Sequence, residues 1–116
     1  MVEHVQATLD LTYAALADPT RRAILERLRT GEARVTDLAR EFPVSLNAVS
    51  KHIRVLEGAG LVRREVRGRE HLLSLDAGPL AAAGSWIADY RTFWERRADA
   101  LARHVERRAR RGGGGS

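Results

Sequence analysis

The stretch "FPVSLNAVSKHIRVLEGAGLV", Phe42 to Val62, constrains this chain more tightly than any other. Pro43 stops whatever helix runs into it, because proline cannot donate the next helical hydrogen bond. After the three-residue turn "PVS", Ser45 caps a new helix from Leu46 to about Gly58. At about 100° per residue, that helix puts Leu46, Val49, Ile53 and Leu56 on one face and Asn47, Lys51 and Arg54 on the other. One face packs, and the other is free to read a surface. Gly58 and Gly60 in "EGAG" end the helix.

The flanking sequence completes the frame. Val5, Leu9, Tyr13 and Leu16 recur at helical spacing, so a first helix is expected from Val5 to Leu16. Asp18 followed by Pro19 reads as an N-cap and a first-turn proline. A second helix is expected from Pro19 to about Arg29, burying Ile24, Leu25 and Leu28 and closing at Gly31. A short third helix, about Thr36 to Phe42, turns Leu38, Ala39 and Phe42 inward. Beyond Gly60, "LVRREV" and "HLLSL" flank the tight turn Arg67-Gly68-Arg69-Glu70, as the strands of a hairpin do. Last comes a long helical segment, about Gly78 to Arg108, with Trp86, Tyr90, Phe93, Trp94, Leu101 and Val105 at three- and four-residue spacing. No internal repeat is present. The expected class is mainly α with a small β-hairpin: a winged helix-turn-helix framed by an N-terminal and a C-terminal helix.

Composition restricts what such a frame does. A chain of 116 residues, 44% hydrophobic and 30% charged, is sized for one globular domain. We assign it to residues 1–111, and treat the glycine run and serine at 112–116 as a flexible linker or an appended tail. With 20 Lys+Arg against 15 Asp+Glu, the net charge of +5 favours an anionic partner. All but Lys51 are arginines, whose rigid fork matches phosphate oxygens. The absence of cysteine excludes disulfides, thiolate catalysis and thiolate metal sites. No stretch reads as a signal peptide or a membrane span, so a cytoplasmic location and no membrane partner are expected.

The order of parts points to double-stranded DNA. A helix fits the major groove, where Asn47 can pair bidentately with adenine and Lys51 or Arg54 with guanine. The hydroxyls of Ser45 and Ser50 suit phosphate oxygens near the helix start. Arg67 and Arg69 bracket Gly68 at the hairpin tip, placed to enter the minor groove or grip its phosphates. His52, at the edge of the apolar face, reads as a packed, hydrogen-bonded histidine; for Arg63 and Arg64, solvation and phosphate contact explain the charge equally well. An enzyme is disfavoured, since no phosphate loop, nucleophile elbow or clustered carboxylate pair appears. A module that dimerises without binding DNA should lack the basic reading face and wing.

"LADPTRRAILERL", Leu16 to Leu28, together with "VSLNAVSKHIRVLEGAGLVRREVRGRE", Val44 to Glu70, resembles the ArsR family of small dimeric bacterial repressors. The resemblance covers nearly everything before the glycine tail. It implies that Ser45–Gly58 reads operator DNA, that the hairpin is the wing, and that the first and last helices make a homodimer. Leu9, Tyr13, Trp86, Tyr90, Trp94, Leu101 and Val105 then fall at the dimer interface. The chain departs from the family's metal-sensing members. Arg34 and Thr36 stand where one known site has two cysteines, and Asp89-Tyr90-Arg91 with His104-Val105-Glu106-Arg107 leaves two of four ligands of the other site wrong. No metal or cofactor is therefore expected, and the type implied is non-metal-sensing. A small-molecule effector is left open: Trp86, Tyr90 and Trp94 could line a pocket, although an aromatic stripe is more often core.

Overall fold

The computed structural model describes the backbone of residues 2–113 and the side-chain surroundings of residues 6–111. The elements are α1 (Val2–Leu16), α2 (Pro19–Leu28), β1 (Ala33–Arg34), α3 (Val35–Glu41), α4 (Leu46–Gly58), β2 (Val62–Arg67), β3 (Glu70–Leu75) and α5 (Gly78–Gly113). The mainly helical class and the winged helix-turn-helix order are as the sequence predicts. The chain divides into two compact units, residues 1–83 and 84–116, with the boundary inside α5. No helix among the described residues is long and apolar enough to cross a membrane.

Residues 1–83 form the winged unit. Ile24, Leu38, Val49, Ile53, Leu56, Leu61 and Leu73 are fully buried at its centre, so α2, α3, α4 and the sheet each contribute one apolar face. The turn between α1 and α2 is built by charge. The Asp18 carboxylate accepts the Arg21 N–H at 3.0 Å, and Pro19 opens the helix without wasting a donor. Arg21 and Arg22 fold back onto the end of α1. Arg21 donates from Nε to the Ala15 carbonyl at 2.8 Å and from Nη2 to Ala14 at 2.9 Å, while Arg22 Nη1 donates to Leu16 at 2.6 Å. These are carbonyls that a helix C-terminus leaves without an internal partner. The motif "DPTRR" is thus one joint: an aspartate starts α2, and two arginines finish α1.

The helix-turn-helix follows. Phe42 is extended (ψ 142°), as the residue before a proline prefers, so α3 stops at Glu41. Ser45 Oγ accepts the Ala48 N–H at 3.1 Å and caps α4. The apolar face of α4 is Val49, Ile53 and Leu56; Leu46, expected to pack with them, is 52% exposed. It stands in the first turn, before the helix axis reaches the core, and lines a surface cleft instead. Gly60, rather than Gly58, ends the helix, at φ +75°. Its N–H bonds the Glu57 carbonyl at 2.9 Å, that of Leu61 bonds Leu56 at 3.0 Å, and the buried Leu56 and Leu61 side chains complete the motif.

The wing is a three-stranded antiparallel sheet in the order β1-β3-β2. In the β2–β3 hairpin Val62 faces Leu75 and Arg67 faces Glu70, leaving Gly68 and Arg69 as a two-residue loop. Gly68 has φ +61° and Arg69 does not, the pattern of a II′ turn. The third strand, β1, pairs Ala33 with Leu73 and Arg34 with Leu72. Two residues carry no periodicity, which is why the sequence predicted only a hairpin. On α1, Leu9 and Tyr13 are half-buried. The Tyr13 hydroxyl donates to the Ala83 carbonyl at 3.4 Å.

In the second unit the helix extends beyond the expected Arg108, through Arg111 and on to Gly113, so the first two glycines of the tail continue it. Residues 114–116 lie outside those described. Every side chain from Gly84 to Arg111 is exposed, including Trp86 at 47%, Trp94 at 63% and Leu101 at 64%.

Candidate nucleic-acid interface

Each charge in the winged unit has a definite place. Residues 1–83 carry twelve Lys and Arg against eleven Asp and Glu, so this unit is close to neutral. Most of its cations are engaged. Arg27 pairs with Glu41, Arg29 with Glu26, Arg40 with Asp37 and Arg34 with Glu70. Arg63 reaches Asp76 at 2.8 Å, and Arg64 reaches Glu57 at 2.7 Å. Arg67 lies against Glu65 through two bonds of 3.0 and 3.1 Å, and that carboxylate raises its already high pKa. Arg21 and Arg22 are held by backbone carbonyls. Lys51, Arg54 and Arg69 remain: exposed, and with no hydrogen bond or ion pair among the described residues. Two lie on the exposed polar face of α4 and one at the wing tip.

Asn47 joins them. It is exposed and makes no hydrogen bond inside the chain, and its spacing to Lys51 and Arg54 confines all three to an arc of about 60° on α4. Ser45, expected to meet phosphate, already uses its oxygen as the helix cap, though its hydroxyl hydrogen is still available to donate. Ser50 is half-buried at the edge of a cleft of about 310 Å³ between α4 and the wing. The same cleft is lined by Arg34, Thr36, Arg64, Arg69, Glu70 and His71. Structure therefore brings Ser50 and Arg69 together, and separates Arg69 from Arg67, which sequence reasoning had treated alike.

The cleft also contains residues that sequence reasoning did not connect with DNA. In the sequence, Arg34 and Thr36 stand out only at the positions of metal ligands. Pairing of β1 with β3 carries Arg34 against Glu70, 3.2 Å away, beside the wing. Arg64 settles a question that its sequence left even: it fixes the wing to the end of α4. Its Nη2 and Nε donate to the two oxygens of Glu57, at 2.7 and 3.3 Å, and Nη1 donates to His71 Nδ1 at 3.0 Å. A guanidinium only donates, so His71 accepts at Nδ1 and is the tautomer protonated at Nε2. The wing is thereby tied to the end of α4.

His52 behaves as the packed histidine expected of it. It is 3.7 Å from the Asp18 carboxylate and 3.4 Å from Arg21 Nη1, linking α4 to the joint between α1 and α2. The Arg21 N–H, and after it the charge near His52, holds Asp18 below the usual carboxylate range against the opposing cost of its partial burial. Asp76 is lowered likewise, first by the Gly78 N–H and then by Arg63. Among the described residues, no three His, Asp or Glu side chains gather as a metal centre requires. On α5, Trp86 and Tyr90 have ring centroids 4.7 Å apart, and a shallow groove of about 320 Å³ is lined by Asp89, Tyr90 and Phe93.

Known proteins resemble this chain. Residues 16–65 match the model of a helix-turn-helix domain family. An HTH-type transcriptional regulator of Mycobacterium tuberculosis, Rv2034, is 42% identical over 97 residues, covering 84% of this chain and 88% of that protein. The transcriptional repressor SdpR of Bacillus subtilis is 30% identical over 78 residues, covering 67% and 87%. Among solved structures, the crystal structure of an ArsR family transcriptional regulator superimposes with a TM-score of 0.73 at 39% identity, covering 78% of this chain and 93% of that one.

Proposed function

Since the chain belongs to the ArsR family of winged helix-turn-helix transcriptional regulators, we propose that it is a sequence-specific repressor that binds a palindromic operator in double-stranded DNA as a homodimer. One observation supports this reading above the others. In a winged unit whose other cations are all engaged, the three unengaged ones, Lys51, Arg54 and Arg69, all fall on the outward face of α4 and the wing tip. A merely solvated surface has no reason to gather its unpaired charge there.

The roles follow from chemistry. Asn47, Lys51 and Arg54 read base edges in the major groove, while Ser45 and Ser50 donate hydroxyls to phosphates. Arg69 meets the backbone or minor groove directly, and Arg67 joins it after exchanging Glu65 for a phosphate. The dimer forms through the exposed stripe of Trp86, Tyr90, Trp94, Leu101 and Val105 on α5, with Leu9 and Tyr13 on α1. Residues 1–111 are the working domain, and 112–116 a linker. The chain is of the non-metal-sensing type: it has no cysteine, and Arg34, at one family site, is tied to Glu70.

The test is a gel-shift titration of the DNA immediately upstream of the coding sequence against a shuffled duplex of equal length. The proposal predicts a preference for the upstream DNA that Asn47→Ala weakens and binding that zinc or cadmium at stoichiometric levels does not release. Equal binding to both duplexes by the unmutated protein would show a dimerising module without sequence recognition.

A further inference from the structure

The net charge of the chain does not reside where DNA reading does. Residues 84–116 carry eight arginines against four acids, and thus most of the net +5, whereas the winged unit is nearly neutral. From residue 96 to 111 the count is seven arginines to two acids. Their placement is ordered. Arg96, Arg103, Arg107 and Arg110 are separated by seven, four and three residues, which at about 100° per residue puts them within an arc of about 60°. Trp94, Leu101 and Val105 repeat the first two of those spacings two residues earlier, so they occupy the opposite side of the helix.

The four arginines are exposed and make no ion pair among the described residues. Asp99 and Glu106 stand four residues before Arg103 and Arg110, the spacing that allows a helical pair, yet form none with them. Arginines off this face differ in setting: Arg97 lies 5.5 Å from the Phe93 ring centroid, and Arg108 shares the apolar side with Leu101. A row of unmatched guanidinium groups is a permanent, geometrically regular cation, and its match is a regular polyanion.

We propose that this arginine face of α5 is a second DNA-binding surface, one that grips the phosphate backbone of the duplex without reading sequence. It rests on the repressor reading above for the identity of the polyanion, and on the dimer proposed there for the apolar side being covered. From Arg96 to Arg110 the helix rises about 21 Å, a length over which one strand of B-DNA presents about six phosphates. Duplex DNA also suits the helix better than an anionic membrane does. A helix lying in a lipid interface buries its apolar side, which here is the side a second copy of the chain would cover. DNA engages the arginine face alone and leaves the stripe for the dimer. The surface supplies affinity common to all sequences, and the preference stays with Asn47, Lys51 and Arg54.

The test uses the full chain with Arg96, Arg103, Arg107 and Arg110 all changed to Gln, a helix-compatible residue. Sedimentation confirms that oligomeric state is kept. Affinity for the upstream DNA and for a shuffled duplex is then measured against salt. The slope of log affinity on log salt should shallow by about 0.9 for each phosphate no longer neutralised, or about 3.6 per protomer, on both duplexes, with the preference between them unchanged. The pair Arg103→Gln and Arg107→Gln alone should remove about half of that, and the control pair Arg97→Gln and Arg108→Gln should leave the slope as it was. An unchanged slope in the fourfold variant overturns the proposal, as does an equal per-residue effect from the control pair, which would mean diffuse charge. Binding of the unmutated chain to phosphatidylserine vesicles, abolished in the fourfold variant while the DNA slope holds, would overturn it in favour of a membrane. Absence of any preference for the upstream DNA is a separate result, and counts against the repressor reading alone.

Discussion

The two units of this protein treat their side chains in opposite ways. Between residues 6 and 83, most large apolar groups are gathered into one core, and nine of the twelve cations are matched by a carboxylate or a carbonyl. Between 84 and 111 every side chain is exposed: two tryptophans, a tyrosine, a phenylalanine and eight arginines, with no ion pair among them. The winged unit's unengaged cations are confined to the outward face of α4 and the wing tip. The helix has satisfied neither of its faces. An element that leaves both its apolar and its charged side open is built for other molecules, and two different faces call for two different partners.

The contrast breaks most severely if the apolar side of α5 is spoiled. Trp94→Asp or Leu101→Asp places a carboxylate where we expect a covered interface, at a cost of several kcal/mol for a buried unpaired charge. Sedimentation should show monomers, and operator binding should disappear. If either variant still dimerised and bound normally, the stripe would be simple exposed surface. A smaller effect is expected within the winged unit. Asn47→Ala should cost about 1–3 kcal/mol of discrimination at one base pair and leave the fold intact, as read by competitive titration and by circular dichroism.

The wing separates two arginines that look equivalent in sequence. Arg69→Ala should lower the salt slope by about 0.9. Arg67→Ala should lower it less, because Arg67 must first leave Glu65. Equal slopes for the two would mean that the Arg67–Glu65 pair does not persist beside DNA. The smallest effect concerns pH. Asp18 and Asp76 titrate below the ordinary carboxylate range in the folded chain. Their contribution is therefore complete above the unfolded pKa and is lost as pH falls through the lower, folded one. Stability should decline in that acid window, and Asp18→Asn should flatten the decline in thermal melts; an unaltered acid limb would mean that Asp18 is not a principal source of it.

Much of this was legible from residue order. "DPTRR", "PVS" and the apolar period of Val49, Ile53 and Leu56 each act through neighbours a few residues away, so local chemistry decides the outcome. Leu46 failed that reasoning because periodicity assigns a face to a residue but not a position relative to the end of the core. Strand β1 was out of reach for a different reason: its two residues are extended only because β3, about forty residues later, offers them an edge. The cleft of Arg34, Thr36, Ser50 and His71 inherits that limit, being assembled entirely by long-range pairing. The arginine face of α5 is the reverse case. Its spacing is plain in the sequence, but its meaning depends on knowing that most of the winged unit's own arginines are already engaged.

The most direct measurement is a titration of the full chain against the footprinted operator and against one isolated half-site, with stoichiometry followed by sedimentation. We predict that one dimer occupies the whole operator, more tightly than it binds a half-site, with half-sites about one turn, 34–36 Å, apart on one face of the duplex. A well-folded monomer at micromolar concentration, bound to the half-site as tightly as to the full operator, would contradict it.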